Sequence, residues 1–427
     1  MKPLFAGRLC AAVLALLLAA PGFAAQQRTV EETLSLQQAI GLALQQNPSL
    51  AVARARAEGV RQSVPQAGAL ADPRLSIGLA NLPGGSLSLD KDPMSQLQIG
   101  FSQALPFPGT RALHEEAAQF RADAAVLGSD ELRLQLLRDV KQVWWQVFYI
   151  DHAMQAVESN RVLLQQLIET AQTLYSVGRG QQQDVLLAQL ELARLEDEAL
   201  RLRQLRIESV IGLNSLFNRP VSVAVVLPVD VGGELPSRSF SEQQLQTEAL
   251  AQHPALQASL ARLEAARSQR QLSSKQQYPD FAVGASYGIR DGRDDLASIQ
   301  FSMNLPLYAG RKQSRVEDQR QAELIAAQQQ LRETELRVLA EMSLALSRFQ
   351  RSQDRIALFE TVILPQAEQT VEAMLAGYQV NKVVFASLIQ AQTTLQNYQT
   401  QYWQVVTAAH QALAALDAAL GREYSHE

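Results

Sequence analysis

The sequence is poor in cysteine, in long apolar runs and in blocks of positive charge. Its single cysteine is Cys10, so the chain after the N-terminal segment has no disulfide and no thiol nucleophile. After residue 25 no apolar run approaches the ~18 residues that a membrane-spanning helix requires. The formal net charge is −5 and the basic residues are scattered, which argues against a nucleic-acid surface.

The N-terminus has the features of a signal peptide. Lys2 and Arg8 precede an apolar run over residues 9–20, which is too short to cross a bilayer as a helix. Residues 22–24, Gly-Phe-Ala, form a small-x-small cleavage site. We predict a signal peptide over 1–24, with the next peptide bond as the alternative cleavage site.

Proline is also missing between Gly109 and Pro220. We predict one long helix over about 110–175, a turn, and a second helix over about 183–217. At 1.5 Å per residue the first helix is roughly 100 Å long. Apolar side chains recur along it every three or four residues, as in coiled coils: Leu137, Val140, Trp144, Val147, Ile150, Met154 and Val157. Such a hairpin needs other long helices to cover its apolar seam.

Four segments change to a period of two, which predicts β-strands over about 73–82, 96–105, 280–289 and 297–305. Each has an apolar face and a face of small or polar residues, a pattern typical of membrane barrels. A soluble hairpin with one buried face explains the alternation equally well. If the strands do lie in a membrane, four cannot close, so several chains must contribute to one barrel. Two chains give eight strands, and three give twelve, which suits an open duct.

The second half of the chain repeats the first. The capping-box sequence at Ser35 recurs at Ser241, 206 residues later, and Ala188-Gln189 recurs as Ala391-Gln392, 203 residues later. We predict two repeats, 25–220 and 241–427, joined by a linker over 221–240. The second repeat contains predicted helices over 311–378 and 384–420. Pro365 interrupts the first of these, so a kink is expected there.

These features resemble the TolC family of outer-membrane efflux channels over nearly the whole chain after the signal peptide. Three motifs resemble its heavy-metal (CzcC/CusC-like) branch: Ala71-Asp-Pro-Arg74, Gln98-Ile-Gly-Phe-Ser-Gln103 and Leu105-Pro-Phe-Pro-Gly-Thr-Arg111. The fold class is therefore mainly α with membrane β-strands, a duplicated unit of long antiparallel helical hairpins plus two β-hairpins. The resemblance implies a homotrimer whose twelve-stranded β-barrel in outer-membrane lipid continues as a helical barrel into the periplasm. It also implies a periplasmic adaptor and an inner-membrane RND (resistance-nodulation-division) pump as partners.

The resemblance places a periplasmic gate at the helical turns. Asp184 corresponds to a tip aspartate, and Tyr378 to a gate tyrosine. Ser387 and Gln390 stand where the best-known member has two acidic residues. Val383 replaces its gate-locking arginine, although Lys382 and Arg179 lie nearby. The alternative for Asp184 is an exposed acid that complements the helix dipole. The expected adaptor-contact residues are in the two turns: Tyr175, Val177, Gly178, Val380 and Asn381.

No motif indicates chemistry. Five histidines are scattered without metal-ligand spacing, and no phosphate loop or nucleophile elbow is present. We expect no enzyme activity, no cofactor and no bound metal. The leading hypothesis is a passive exit duct for heavy-metal cations. The alternatives are a duct for drugs or organic solutes, and a periplasmic coiled-coil adaptor or scaffold.

Overall fold

The computed structural model describes residues 33–228, 235, 240–380 and 382–423. The predicted signal peptide, 1–24, lies outside them, as does much of the predicted linker. The elements of the first half are α1 (Leu36–Gln46), α2 (Pro48–Gly68), β1 (Arg74–Ala80), β2 (Gln96–Leu105), α3 (Thr110–Ser176) and α4 (Gln182–Leu216). Those of the second half are α5 (Glu242–Gln252), α6 (Pro254–Lys275), β3 (Phe281–Ile289), β4 (Leu296–Met303), α7 (Gln313–Leu358), a π-helix (Phe359–Ile363), α8 (Leu364–Gln379) and α9 (Phe385–Leu420). The predicted class, mainly helical with a small antiparallel sheet, is confirmed.

The two predicted capping boxes differ in the structure. The Ser35 hydroxyl accepts from the backbone N–H of Gln38, and the Gln38 side-chain oxygen accepts from the backbone N–H of Ser35. Ser241 begins α5 but makes no such bond, so the second capping box is wrong. Glu242 occupies the first turn of α5, where its charge suits the helix dipole. Its carboxylate accepts from the Ser343 hydroxyl of α7 at 3.3 Å, which ties α5 to the long helix.

The four strands form one antiparallel sheet in the order β1-β2-β3-β4. The register pairs Ile77 with Ile99, and Ile99 with Tyr287, so apolar side chains share one face across the sheet. This face is open to its surroundings, with Leu75 69% exposed and Ile299 88% exposed. Small and polar residues occupy the other face, where Gln98 donates to Ser286 at 2.8 Å. The sheet is thus amphipathic, and β1 and β4 are its free edges.

Helix α3 is the centre of the helical layer, because different helices cover its two halves. Near the sheet it packs between α2 and α6, and beyond its midpoint between α4 and α9. At the middle, α1 and the segment at Val225 and Leu227 enclose Trp144, whose indole nitrogen donates to Leu34 O at 3.0 Å. In addition, Lys141 pairs with Asp417 of α9 at 3.4 Å, and burial lowers the pKa of this lysine. No described helix is long and apolar enough to span a membrane.

The predicted long helix over 311–378 is divided in the structure. It runs as α7, widens into the π-helix over Phe359–Ile363, and continues as α8. Pro365 lies at the start of α8 and lacks the backbone N–H that would continue the α-helical hydrogen-bond ladder. The wider π-helical turn, which has one more residue between bonded groups, lies just before this proline. Val162 is the counterpart of Pro365 in the first repeat, where α3 is continuous. The expected kink therefore takes the form of a π-helical turn.

The π-helix is held by a bond to α9. The Tyr402 hydroxyl donates to Glu360 Oε1 at 2.7 Å, and Phe359 packs edge-on against Tyr398 and Tyr402. Burial, and then the hydrogen bond to Glu360, raises the pKa of Tyr402 to about 12. The pKa of a tyrosine in the unfolded chain is ~10, so the stability that this phenol contributes is fully present below pH ~10. This stability is lost as the pH rises through the pKa of Tyr402 in the folded protein.

Replacing the phenol tests this assignment. We expect Tyr402→Phe to remove one tyrosine that titrates near 12 in ultraviolet absorbance. The variant should also lose less stability than the wild type between pH ~10 and ~12, measured by thermal unfolding in detergent. Tyr398→Phe is the control, since Tyr398 contacts Phe359 but the Glu360 bond belongs to Tyr402. An alkaline stability profile of Tyr402→Phe that matches the wild type would contradict the assignment.

Candidate functional site

The two helical turns lie together at the end of the layer that is remote from the sheet. Ala171 of α3 and Ala188 of α4 flank the first turn, while Tyr378 of α8 and Phe385 of α9 flank the second. All four belong to one buried apolar cluster. Residues about 200 positions apart in sequence therefore form a single structure, which we call the tip: residues 171–188 and 374–391.

The first turn depends on two glycines. The backbone N–H groups of Arg179 and Gly180 both donate to Leu174 O, at 2.8 and 2.9 Å, and close the end of α3. Gly178 has a φ of +73°, a left-handed conformation that favours glycine. A Cβ at Gly180 would lie 2.8 Å from Tyr175 N and 3.0 Å from Leu174 C, so no side chain fits. The sequence Gly-Arg-Gly thus sets the reversal.

The second turn is built around an aromatic pair. Tyr378, in the last turn of α8, has 4% of its surface exposed, and its ring lies 5.0 Å from that of Phe385 at the start of α9. Lys382 N donates to Gly377 O at 2.8 Å and closes the helix end. A Cβ at Gly377 would lie 2.4 Å from a Val383 methyl group, so the small residue admits the valine. This valine stands where the family's arginine is expected.

The predicted gate residues Tyr378 and Asp184 are close to each other. Burial, and then the negative charge of Asp184, raises the pKa of the Tyr378 phenol. The Tyr378 hydroxyl is buried and has no hydrogen-bond partner among the residues that the structure describes. Asp184 is half-buried in the first turn of α4, where the dipole favours an acid. A buried hydroxyl donor therefore lies near a half-buried carboxylate without a hydrogen bond to it.

The predicted pore residues Ser387 and Gln390 are on the exposed side of α9. They line a cleft of about 630 Å³ between α8 and α9, together with Thr370 and Thr394. Gln390 donates weakly to Thr394 at 3.5 Å. The lining is neutral and mixes polar with apolar side chains, so this cleft offers hydrogen bonds but no charge.

The other predicted tip residues are at the surface. Arg179 and Lys382 are exposed, and neither makes an ion pair within the described part of the chain. The turn residues proposed for adaptor contact are also exposed: Tyr175, Val177, Gly178 and Val380. Asn381 was predicted with them and lies outside the described residues.

Sequence reasoning missed the polar contacts that join the two hairpins behind the tip. Gln392 of α9 donates to Asn160 of α3, and both side chains are buried. Glu191 of α4 accepts from Thr393 at 3.0 Å and from Arg194 at 2.8 Å. The only sequence signal was the repeated Ala-Gln pair, in which the second glutamine is Gln392. A repeat marks a position as structurally equivalent but does not name its partner.

A duplicated layer of long hairpins, with the tip at one end and an amphipathic sheet at the other, is the architecture of an elongated membrane-associated protein. Within the described residues no group of three His, Cys, Asp or Glu side chains is placed to hold a metal ion. Residues 39–219 and 245–422 match the pattern of the outer membrane efflux protein family, and the chain belongs to that family. Membership in the outer membrane efflux protein family argues against the adaptor or scaffold alternative.

Relatives agree with this assignment. The cobalt-zinc-cadmium resistance protein CzcC of Cupriavidus metallidurans is 28% identical over 190 residues, 44% of each chain. The chain thus spans under half of the length of this curated relative. Two solved structures share the fold. The outer membrane protein VceC of Vibrio cholerae aligns with a TM-score of 0.78 at 23% identity, and the alignment covers 91% of this chain and 97% of VceC. CusC has a TM-score of 0.76 at 16% identity, covering 93% and 94%.

The first turn provides a direct test of the tip. Gly180→Ala should cost about 1–3 kcal/mol, because its methyl group overlaps the backbone of Leu174 and Tyr175. We expect trypsin to cleave after Arg179 several-fold faster in this variant than in the wild type. Gly128→Ala is the matched control, since nothing lies within 4 Å of the new Cβ in α3 and alanine favours a helix. Equal cleavage rates in the two variants would refute this description of the turn.

Proposed function

We propose that the protein is the passive exit duct of a tripartite efflux system. In this proposal an inner-membrane RND pump supplies the energy, and a periplasmic adaptor connects the pump to the tip. The chain itself does no chemistry. The observation that carries the proposal is the amphipathic sheet with two free edges, joined directly to a helical layer whose α3 alone has 67 residues.

The sheet supports a homotrimer. Its apolar face is exposed, and β1 and β4 each leave a row of backbone groups without a strand partner. Open edges are not viable in hydrocarbon, because every backbone N–H and C=O there needs a partner. Joining β1 of one chain to β4 of the next, three times, closes twelve strands and satisfies both edges. The apolar face then contacts outer-membrane lipid.

The tip supports a closed gate and an adaptor site. Burial, and then the charge of Asp184, raises the pKa of the Tyr378 phenol, and the buried hydroxyl lacks a partner within the described chain. We assign the missing partner to the neighbouring subunit, with Arg179 and Lys382 as the basic groups near it. The exposed residues Tyr175, Val177, Gly178 and Val380, with Asn381, form the proposed adaptor contact.

The likeness to CzcC supports heavy-metal cations as the transported class. This finer assignment rests on a similarity that covers 44% of either chain. Organic solutes are the second candidate class. The neutral cleft at Ser387 and Gln390 favours them, because it provides hydrogen bonds without a carboxylate for a cation. Resistance profiles of a deletion strain toward metals and toward drugs distinguish the two.

Channel formation tests the duct. The purified protein without its signal peptide, reconstituted in a planar bilayer, should insert and give discrete conductance steps. It should also require detergent to remain in solution, because the apolar face of the sheet is exposed. A protein that stays soluble without detergent and conducts nothing would overturn the proposed function.

The gate is tested at Asp184. We propose that Asp184→Ala raises the single-channel conductance, because it removes a charged acceptor at the tip. The matched control is Asp197→Ala, which removes an exposed acid from the middle of the same helix. An unchanged conductance in a folded Asp184→Ala trimer would leave Asp184 as a dipole-complementing surface residue.

A further inference from the structure

The short helices α1 and α5 are counterparts in the two repeats, and each packs on the long helix of its own half, α1 on α3 and α5 on α7. Equivalent packing in two copies of one unit puts both short helices on the same side of the layer of long helices. On α3, the residues that meet α1 and its neighbours are Leu136, Val140 and Trp144, which recur on one face. On α7, Met342 and Leu346 pack in a cluster with α5, and Ser343 bonds to Glu242. One side of the layer is therefore covered by additional structure, which we call the covered side.

The other side carries arginines. On α7, Arg337, Arg348 and Arg355 are spaced by 11 and 7 residues, which places them on one helical face, turned away from Ser343. All three are exposed, as is Arg351, one turn from two of them. Across the layer, Arg138 of α3 lines the same cleft of about 280 Å³ as Arg337 and Arg348. We call Arg138, Arg337, Arg348, Arg351 and Arg355 the arginine belt.

Acids neutralise only part of the belt. Arg337 uses both nearby glutamates, at 3.8 Å to Glu131 and 3.3 Å to Glu341. Arg138 bonds to Asp139 at 2.8 Å. Among the described residues no acid lies within ion-pair distance of the other three arginines, Arg348, Arg351 and Arg355. The guanidinium of Arg355 lies over the Phe359 ring, 5.8 Å from its centroid. The belt is thus positive, although the chain as a whole has a net charge of −5.

The belt faces the interior of the duct if the proposed trimer is correct. A duct wall has one concave side, and α1, α5 and the segment at Val225 would obstruct the passage if they lay on it. The uncovered side carries the exposed arginines, although Leu344 in the same cleft is also exposed. Three copies would place the belt around the passage over about 27 Å of its length, from residue 337 to residue 355. Charges of one sign on a low-dielectric wall raise the local concentration of counter-ions.

We propose, on the basis of the proposed duct function, that the arginine belt is an anion-attracting zone of the passage. Its ligands are small inorganic anions and solutes that carry carboxylate or phosphate groups, which guanidinium groups bind in a bidentate manner. A cation crosses this zone in the company of anions or as an anionic complex. The neutral cleft at the tip adds no opposing charge.

Ion selectivity tests the belt. In a planar bilayer with a KCl gradient, the reversal potential of the wild-type channel should show that chloride permeates in preference to potassium. Arg348→Glu should reduce the chloride-over-potassium permeability ratio at least about twofold at 0.1 M salt, and much less at 1 M, where screening is stronger. Arg355→Glu should act in the same direction and serves as an independent variant.

The matched control is Arg332→Glu, on the same helix. Arg332 lies three turns before Ser343, on the covered side, and pairs with Glu335. A wild-type channel that prefers potassium, or an effect of Arg332→Glu equal to that of Arg348→Glu, would overturn the belt while leaving the duct intact. The belt would also be overturned if Arg348→Glu and Arg355→Glu, but not Arg332→Glu, lost the trimer, because these arginines would then belong to a subunit interface. Absence of any conductance would instead refute the duct.

Discussion

The length of α3 is the constraint on which the rest of the structure depends. A helix of 67 residues exposes an apolar strip along its whole length, and no single neighbour in this chain is long enough to cover it. The chain solves this in sections, with α2 and α6 near the sheet and α4 and α9 toward the tip. Where these partners change over, α1 and the segment at Val225 and Leu227 cover Trp144. An extended wall results, because the apolar surface is buried sideways between helices instead of in a central core.

Duplication makes such a wall possible, and the differences between the copies are informative. The first copy keeps one continuous long helix, whereas the second has a π-helix before Pro365, held by Tyr402 and Glu360. The first turn reverses through Gly178 and Gly180, and the second through an aromatic pair. The two hairpins thus have the same architecture with different local chemistry. The buried aromatic pair of the tip, Tyr378 and Phe385, therefore lies on the second copy, whereas its acid, Asp184, lies on the first.

Polar groups are distributed by side and by level along the wall. The sheet separates an apolar face from a face of glycine, serine and glutamine, as lipid on one side and water on the other require. At mid-length the uncovered side is rich in arginine, and at the tip the cleft at Ser387 and Gln390 is neutral. Family membership accounts for the architecture.

Periodicity in the sequence was sufficient for the helices, the strands and the repeat, because apolar spacing and proline placement act locally. It also located the turns, since Gly178 and Gly180 are needed there by backbone geometry alone. It could not supply the buried pairs Asn160–Gln392 and Lys141–Asp417, which join residues more than 200 positions apart. The capping box predicted at Ser241 was wrong, because the Ser241 side chain makes no capping bond. The neighbouring Glu242 instead accepts a hydrogen bond from Ser343. The sequence places the arginines of α7 on one helical face, but only the packing of α5 on α7 shows that this face lies on the uncovered side. The spacing of residues along a helix does not specify which face its neighbours cover.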